Sequence, residues 1–171
     1  PLISLVSGKY QPRTVFGEQE LTDLAASIAK CGIIQPILVR QIGINYEIIA
    51  GERGWRAAKI AGLDSIPVII KDLSDQETLE VALVENVQRQ DLNVIEEAEG
   101  YKRLIDEFTY TQEVLAQTIG KSRSHIANLL RLLALPQEVR DMLSSGQLSL
   151  GHAKVLMNIE NSAEIARQVI D

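Results

Sequence analysis

The stretch that decides the fold of the second half of the chain is QEVLAQTIGKSRSHIANLLR, residues 112–131. Its apolar side chains recur with the spacing of two crossing helices, and Ala116 is small where such helices approach closely. These apolar positions are Leu115, Ile119, Ile126 and Leu129. Gly120 stands in the turn between the helices, where a positive φ is needed. The stretch therefore predicts a helix-turn-helix.

The second helix of this unit carries the side chains that are predicted to contact DNA. It begins after Ser122, a good N-cap residue, and residues 121–125 read Lys-Ser-Arg-Ser-His without an acid. Such side chains donate to phosphates and base edges, and the N-terminal end of a recognition helix meets the groove first. The predicted contacts are Gln112, Lys121, Ser122, Arg123, Ser124, His125, Asn128 and Arg131. The alternative is an ordinary helical hairpin, because small-residue turns between helices are common.

The charge distribution restricts any DNA contact to a local surface. The formal net charge is −6 over 171 residues, which argues against a protein that coats nucleic acid indiscriminately. Residues 75–99 hold eight acids and one base, whereas residues 110–135 hold three bases and one acid. We therefore expect any phosphate contact to be local rather than spread over the surface.

The pattern of the chain changes at about residue 74. Before it, apolar spacing predicts helices at 18–31 and 55–61 and strands at 36–40, 46–50 and 66–70. After it, every segment has a helical pattern: 74–89, 93–108, 111–118, 122–134, 137–144, 149–158 and an amphipathic stretch at 164–170. The predicted fold class is α+β, with a small α+β domain at 1–90 followed by an all-helical domain at 91–171.

A candidate phosphate site lies at Gly51-Glu52-Arg53-Gly54, between a predicted strand and a predicted helix. A strand–turn–helix exposes free backbone N–H groups at a helix N-terminus, and these groups suit a phosphate. Gly51 lets the backbone come close, and Arg53 can add a charge-assisted contact. The ending of a Walker motif is absent. The alternative is a solvated turn in which Glu52 and Arg53 face water.

A second candidate site is Glu85-Asn86-Val87-Gln88-Arg89, on a predicted helix. Glu85 and Asn86 offer hard oxygens, and Mg²⁺ typically uses one or two protein oxygens together with substrate phosphates. Near a triphosphate, Glu85, Asn86 and Arg89 would form one end of a nucleotide site. The alternative is an i,i+4 ion pair between Glu85 and Arg89, which contributes a few tenths of a kcal/mol.

Six motifs, spread over about residues 8–158, resemble those of the ParB family: YQPR at 10–13, GERGWRAA at 51–58, ENVQRQDLN at 85–93, IEEA at 95–98, GKSRSH at 120–125 and SLGHA at 149–153. The resemblance implies an N-terminal domain similar to the fold shared with sulfiredoxin. It implies a helix-turn-helix that binds a centromere-like (parS-like) DNA site in chromosome or plasmid segregation. It also implies slow hydrolysis of CTP with Mg²⁺, and a dimeric clamp that CTP and DNA close together and that slides along DNA.

Site residues follow from the resemblance by position in this sequence. The implied nucleotide contacts are Arg13, Gln35, Gly51, Glu52, Arg53, Gly54, Asn86 and Arg89. The implied metal ligands are Glu85 and Asn86, and Glu85 is also the implied catalytic residue, which places or deprotonates water. Gln35 lies in the loop at 32–36, which would face the base.

Gly54 departs from the family pattern, which usually has a second arginine at this position. Without that guanidinium the affinity for the nucleotide phosphates would be lower, while the fold and DNA binding should be retained. The alternative function is therefore a helix-turn-helix DNA-binding module whose nucleotide switch is weakened or disabled.

The expected partners are duplex DNA, a second copy of the chain and a partitioning ATPase. The segments for the ATPase and for stable dimerisation are expected outside this sequence, which we interpret as a fragment. A lone cysteine and the lack of an apolar run of about 20 residues predict a reducing cytoplasm and no membrane partner. The family resemblance implies an association with the nucleoid. A phosphotransfer enzyme would need a nucleophile near the turn, but Cys31 is predicted to be a small buried hydrophobe on a helix.

Overall fold

The computed structural model describes residues 1–10 and 16–170. The chain divides into two compact units, Pro1–Glu85 and Asn86–Asp171. The first unit mixes strands and helices and the second is helical, so the predicted α+β fold class is confirmed. The domain boundary at residue 90 stays a prediction. None of the helices in these ranges combines the length and apolar character that crossing a bilayer requires.

The described part of the first unit is built on a four-stranded mixed sheet with the strand order β1-β3-β2-β4. Its elements are a 3₁₀ helix at Leu2–Ser4, β1 (Leu5–Val6), α1 (Glu18–Cys31), β2 (Ile37–Ile42), β3 (Asn45–Ala50), α2 (Glu52–Ile60), β4 (Val68–Ile70) and α3 (Asp75–Val87). β2 and β3 form an antiparallel hairpin, and β1 and β4 flank it as parallel edge strands. β1 was not predicted, because two residues are too few to show an alternating pattern.

The core of the first unit fixes α2 against the sheet. One buried cluster joins the sheet to α2 through Leu5, Ile37, Val39, Ile48 and Trp55. A second cluster joins α1 to α2 through Ala25, Ile28 and Ala57. Burying a large apolar side chain contributes about 1.5–3 kcal/mol. The packing of Trp55, in the first turns of α2, therefore also fixes the position of the turn at Gly51 that precedes it.

After the end of α3, the described part of the second unit contains six helices: α4 (Val94–Phe108), α5 (Gln112–Ile119), α6 (Arg123–Leu132), α7 (Gln137–Ser144), α8 (Leu150–Leu156) and α9 (Ser162–Ile170). Polar side chains cap four of these helices by accepting hydrogen bonds from backbone N–H groups of the first turn. These caps are Asn93, Thr111, Ser122 and Ser149. α4 packs against α5, α6 and α7, so it is the central helix on which the helix-turn-helix rests.

Three details of the sequence prediction were wrong. α2 begins at Glu52 rather than at residue 55, because Gly51 caps it and the first helical hydrogen bond runs from the Trp55 N–H to the Gly51 carbonyl. α3 ends at Val87, and the Arg89 N–H closes a turn on the Asn86 carbonyl, so Arg89 does not share a helix face with Glu85. Cys31 is exposed rather than buried, because it is the last residue of α1 and lies beyond the buried positions of that helix.

Candidate functional site

The turn at Gly51 presents an N-terminal helix end without a side-chain cap. Gly51 has φ 102° and ψ 21°, in the left-handed region. A Cβ atom on this residue would lie 3.0 Å from Cγ1 of Ile37, so the backbone passes close to β2. The N–H groups of residues 52–54 precede the first helical hydrogen bond, which the Trp55 N–H makes at 3.1 Å. Free N–H groups at a positive helix end favour an anion.

A cavity of about 620 Å³ lies within the first unit, beside this turn. It includes four of the predicted nucleotide and metal residues: Gln35, Gly51, Gly54 and Glu85. Its other walls are mainly apolar, from Leu24 and Ile28 of α1, the loop before β2, and Ile69 of β4. The volume and the mixture of apolar walls with a few polar groups are typical of a small-molecule site.

Lys71 also lines this cavity and was missed by the sequence prediction. It follows β4, and its backbone N–H donates to the Val39 carbonyl at 2.9 Å, which continues the pairing of β4 with β2. A lysine placed here adds a positive charge to the lining of the cavity. Its position directly after a predicted strand could have identified it, because side chains at the ends of strands often line a binding site.

Glu52 is an interior residue of the first unit. Its side chain is buried, and its Oε1 accepts hydrogen bonds from Ser7 Oγ at 2.6 Å and from Arg56 Nε at 3.4 Å. Its Oε2 is buried and has no hydrogen-bond partner among the described residues. The prediction that Glu52 and Arg53 simply face water therefore fails for Glu52. Because a carboxylate cannot donate to a phosphate, a triphosphate contact by Glu52 would have to come from its backbone N–H.

Arg53 is half-exposed, and its guanidinium lies 4.0 Å from the carboxylate of Glu20, a loose surface pair. Arg13 lies outside the described residues. Asn86 and Arg89 belong to the second unit, where Arg89 donates to the Asn86 side chain at 3.5 Å and forms an ion pair with Asp91 at 2.7 Å. Among the described residues, the structure therefore gathers Gln35, Gly51, Gly54 and Glu85 around one cavity. The roles of all these residues stay predictions.

The helix-turn-helix of the second unit has the predicted geometry. Gly120 adopts φ 72° and ψ 32° after α5, in the left-handed region that the turn requires. Ser122 caps α6, with its Oγ accepting from the His125 N–H at 3.0 Å. Leu115, Ile126 and Leu129 are fully buried where α5 and α6 pack. The alternative of an ordinary hairpin is less favoured, because the first turn of α6 is polar and open.

The predicted DNA contacts fall into two groups by exposure. Lys121, Ser122, Arg123, Ser124 and Arg131 are exposed. Gln112, His125 and Asn128 are partly buried. Arg131 donates to Asn158 at 3.4 Å, and the His125 ring contacts Glu97 of α4. Lys121, Arg123 and Ser124 therefore present exposed donor groups, whereas Arg131 and His125 already contact protein partners.

Two family models match the chain: the ParB N-terminal domain over residues 1–87 and the ParB HTH domain over residues 90–171. The chromosome-partitioning protein ParB of Myxococcus xanthus (strain DK1622) is 52% identical and aligns with 100% of this chain and 59% of the relative. The corresponding protein of Caulobacter vibrioides (strain NA1000 / CB15N) is 49% identical over 100% of this chain and 57% of the relative. The chain thus spans slightly more than half the length of these curated relatives.

A solved structure resembles the whole chain. It is the crystal structure of the C-terminally truncated chromosome-partitioning protein ParB from Caulobacter crescentus, complexed to the centromeric parS site. It matches with a TM-score of 0.90 and 48% sequence identity, covering 99% of this chain and 89% of that chain.

Proposed function

The chain belongs to the ParB family of chromosome-partitioning proteins, and on that premise we propose that it binds a parS-like DNA site through α5 and α6. The observation that carries this proposal is the exposed, acid-free first turn of α6, which follows the Gly120 turn. Lys121 and Arg123 supply positive charge there, and Ser124 supplies a hydroxyl donor. The related Caulobacter protein was crystallised on its parS site, which supports the same use of these helices.

Replacing Arg123 with alanine is expected to weaken binding to a parS duplex by about 1–3 kcal/mol, because a guanidinium at the start of a recognition helix contacts phosphate or base edges. Fluorescence anisotropy at one fixed salt concentration would give the dissociation constants for a parS duplex and for a scrambled duplex. Arg103→Ala is the matched control, since Arg103 carries the same charge but is engaged by Glu107 at 3.0 Å on α4. Equal affinity of the unmodified chain for both duplexes would contradict the proposed function.

The cavity of the first unit is proposed to bind CTP together with Mg²⁺. The N–H groups of residues 52–54 and the cation of Lys71 suit the phosphates, and Arg53 is exposed enough to swing toward them. Gln35, in the loop before β2, supplies an amide for the base. The apolar wall formed by residues of α1 and β4 suits the ring. The family resemblance, rather than any side chain, selects cytosine.

Glu85 is proposed as the residue that positions water for slow CTP hydrolysis. It lies on α3 and lines the cavity. Its carboxylate and the side-chain amide of the next residue, Asn86, carry the oxygen ligands that Mg²⁺ prefers. When bound, Mg²⁺ would neutralise charge on the phosphates. The chain itself would bind the phosphates through backbone amides and Arg53, and it would place the carboxylate of Glu85 beside them.

Replacing Gly54 with arginine is expected to tighten CTP binding by about one to two orders of magnitude, since one charge-assisted contact contributes on the order of 1.5–3 kcal/mol. The change should be tolerated, because a Cβ atom at this helical position would lie 4.0 Å from Cδ1 of Ile37, which is an ordinary van der Waals distance. Calorimetry with Mg²⁺, with and without a parS duplex, measures the dissociation constant. Gly54→Gln controls for the gain in helix stability that any side chain brings at a glycine.

A disabled nucleotide switch is the second candidate function, and Gly54 is the observation that favours it. Tight CTP binding by the unmodified chain would mean that the helix end and Arg53 suffice. Binding only after Gly54→Arg would mean that the chain is a DNA-binding core without a working switch. Neither result affects the proposal for DNA binding, because the cavity beside Gly51 lies in the first unit and the helix-turn-helix lies in the second.

The wider role that we propose is chromosome or plasmid segregation at the nucleoid. CTP and parS together would close two copies of the protein into a clamp that slides along DNA, and a partitioning ATPase would act on the complex. These parts of the proposal rest on family membership and concern the longer relatives, of which the chain spans 59% and 57%.

A further inference from the structure

Glu97 belongs to the motif Ile95-Glu96-Glu97-Ala98, to which neither proposed site assigns a role. It lies on α4 and is mostly buried, with 19% of its side chain exposed. Its Oε1 atom accepts a hydrogen bond from the hydroxyl of Tyr101 and lies 3.0 Å from Nε2 of His125. Because His125 is in the first turn of α6, this carboxylate connects the central helix directly to the predicted recognition helix.

The chemistry of the three groups fixes where the protons are. A carboxylate can only accept, so Nε2 of His125 carries the proton that faces Glu97. Burial, and then the neighbouring Glu97 carboxylate, raise the pKa of Tyr101 well above its ordinary range, so its hydroxyl stays a donor. The rings of Tyr101 and His125 meet edge to face, with centroids 6.4 Å apart. Together these contacts hold the imidazole in one orientation, and within the described part of the chain they engage Nε2 rather than Nδ1.

The first turn of α6 is thereby held at two points. The backbone N–H of His125 is bonded to Ser122 Oγ at 3.0 Å, and its ring is bonded to Glu97. Arg123 and Ser124 are exposed on this same turn, and among the contacts described neither side chain bonds to α4. Their directions toward a DNA groove therefore depend on how firmly the turn is held by His125.

We propose that Glu97 is a positioning residue for DNA recognition, which acts through His125 to fix the tautomer of the ring and the first turn of α6. The proposal rests on the proposed binding of a parS-like duplex and adds a residue that does not itself touch DNA. A group of this kind raises affinity by preorganisation, because the turn is ordered before the duplex arrives.

The test is a double-mutant cycle with Glu97→Gln and His125→Ala, read as the affinity for a parS duplex. Glutamine keeps the volume and an oxygen that can accept from Tyr101, so the fold should be preserved, but it removes the charged acceptor for the ring. We expect Glu97→Gln alone to weaken binding about tenfold. In the His125→Ala background the same change should alter binding by less than about twofold, because two residues that act as one unit are not additive.

Glu99→Gln is the matched control, since Glu99 is an exposed acid on the same helix and the change removes the same charge. It should leave the affinity within about twofold of the unmodified chain, because an exposed single charge is screened. An equal loss from Glu97→Gln with and without His125, or no loss at all, would overturn the proposal. A loss that Glu99→Gln reproduces would also overturn it, because the effect would then be one of net charge.

A measurement without DNA separates this proposal from the proposed function. Long-range ¹H–¹⁵N NMR reports the tautomer of each imidazole, and the chain has two histidines, so a His152→Asn variant completes the assignment. We expect His125 to be a single Nε2–H form in the unmodified chain and a mixture in Glu97→Gln. A mixture in the unmodified chain would refute the positioning role, whereas failure of parS binding with the expected tautomer would refute only the proposed function.

Discussion

Replacing Arg40 with alanine is expected to lower the free energy of unfolding of the first unit by about 3–5 kcal/mol, the range for breaking a buried ion pair by removing one partner. Arg40 on β2 faces Glu47 on β3 across the hairpin, and its Nε donates to Glu47 Oε2 at 2.7 Å. Both side chains are buried, with 7% and 4% exposed. Without the guanidinium, the carboxylate of Glu47 remains in the interior without a compensating charge.

Arg40 also joins the hairpin to the start of α3. Its Nη2 lies 2.8 Å from Asp75 Oδ1, and its Nη1 donates to the Leu73 carbonyl at 3.3 Å. The hydrogen bond from Arg40 lowers the pKa of Asp75 below its ordinary range. On the other side, Oε1 of Glu47 accepts from the Lys9 N–H at 2.7 Å. The alanine variant should therefore loosen three segments together, rather than one strand.

Urea unfolding followed by tryptophan fluorescence measures this loss, because Trp55 is the one tryptophan in the sequence and lies in the core of the first unit. Lys30→Ala is the control: it removes a positive charge from an exposed site on α1, which contributes at most about 0.3–1 kcal/mol. The double variant Arg40→Met with Glu47→Gln should recover much of the loss, because neither charge remains buried. Equal stability of the two single variants would show that the buried pair contributes little.

The extent of the fold was predictable wherever one element carries a long, regular pattern. The helices α1 and α4 follow from apolar residues at spacings of three and four, and the caps at Asn93 and Ser122 are local signals. β1 and the true start of α2 depend on pairing and packing with distant residues, so local patterns missed them. The exposure of Cys31 was missed for a similar reason, since periodicity alone does not show where a buried stripe ends.

The candidate sites were predictable where residues adjacent in sequence form them. The Gly51 turn and the first turn of α6 are of this kind. The contact of Glu97 with His125 joins residues 28 positions apart on separate helices, and no local pattern records it. The pair Arg40 and Glu47 could have been found, because residues equally far from the turn of a hairpin face each other. Lys71 could have been found from its position directly after a predicted strand, whereas the burial of Glu52 became evident only from the tertiary structure.

Replacing Gly51 with alanine is expected to destabilise the first unit by about 2–5 kcal/mol and to abolish CTP binding. A residue with a Cβ atom in the left-handed region costs about 1–2 kcal/mol, and overpacking a core costs about 1–3 kcal/mol. Both apply here, because φ is 102° and the new Cβ atom would lie 3.0 Å from Cγ1 and 3.3 Å from Cγ2 of Ile37. Ile37 is 2% exposed in β2 and has little room to move. The helix end would shift instead, and its N–H groups with it.

The control for this prediction is Gly62→Ala, which separates backbone strain from steric contact. Gly62 also has a positive φ, 75°, but apart from its chain neighbours a Cβ atom there would meet no atom of the described residues within 4 Å. We therefore expect Gly62→Ala to lose only about 1–2 kcal/mol and to keep its affinity for CTP. Trp55 fluorescence in urea gives the stabilities, and calorimetry with Mg²⁺ gives the affinities. Equal losses in the two variants would mean that strain alone determines the effect. Unchanged CTP binding in Gly51→Ala would mean that the close passage of the backbone along β2 is not what forms the phosphate site.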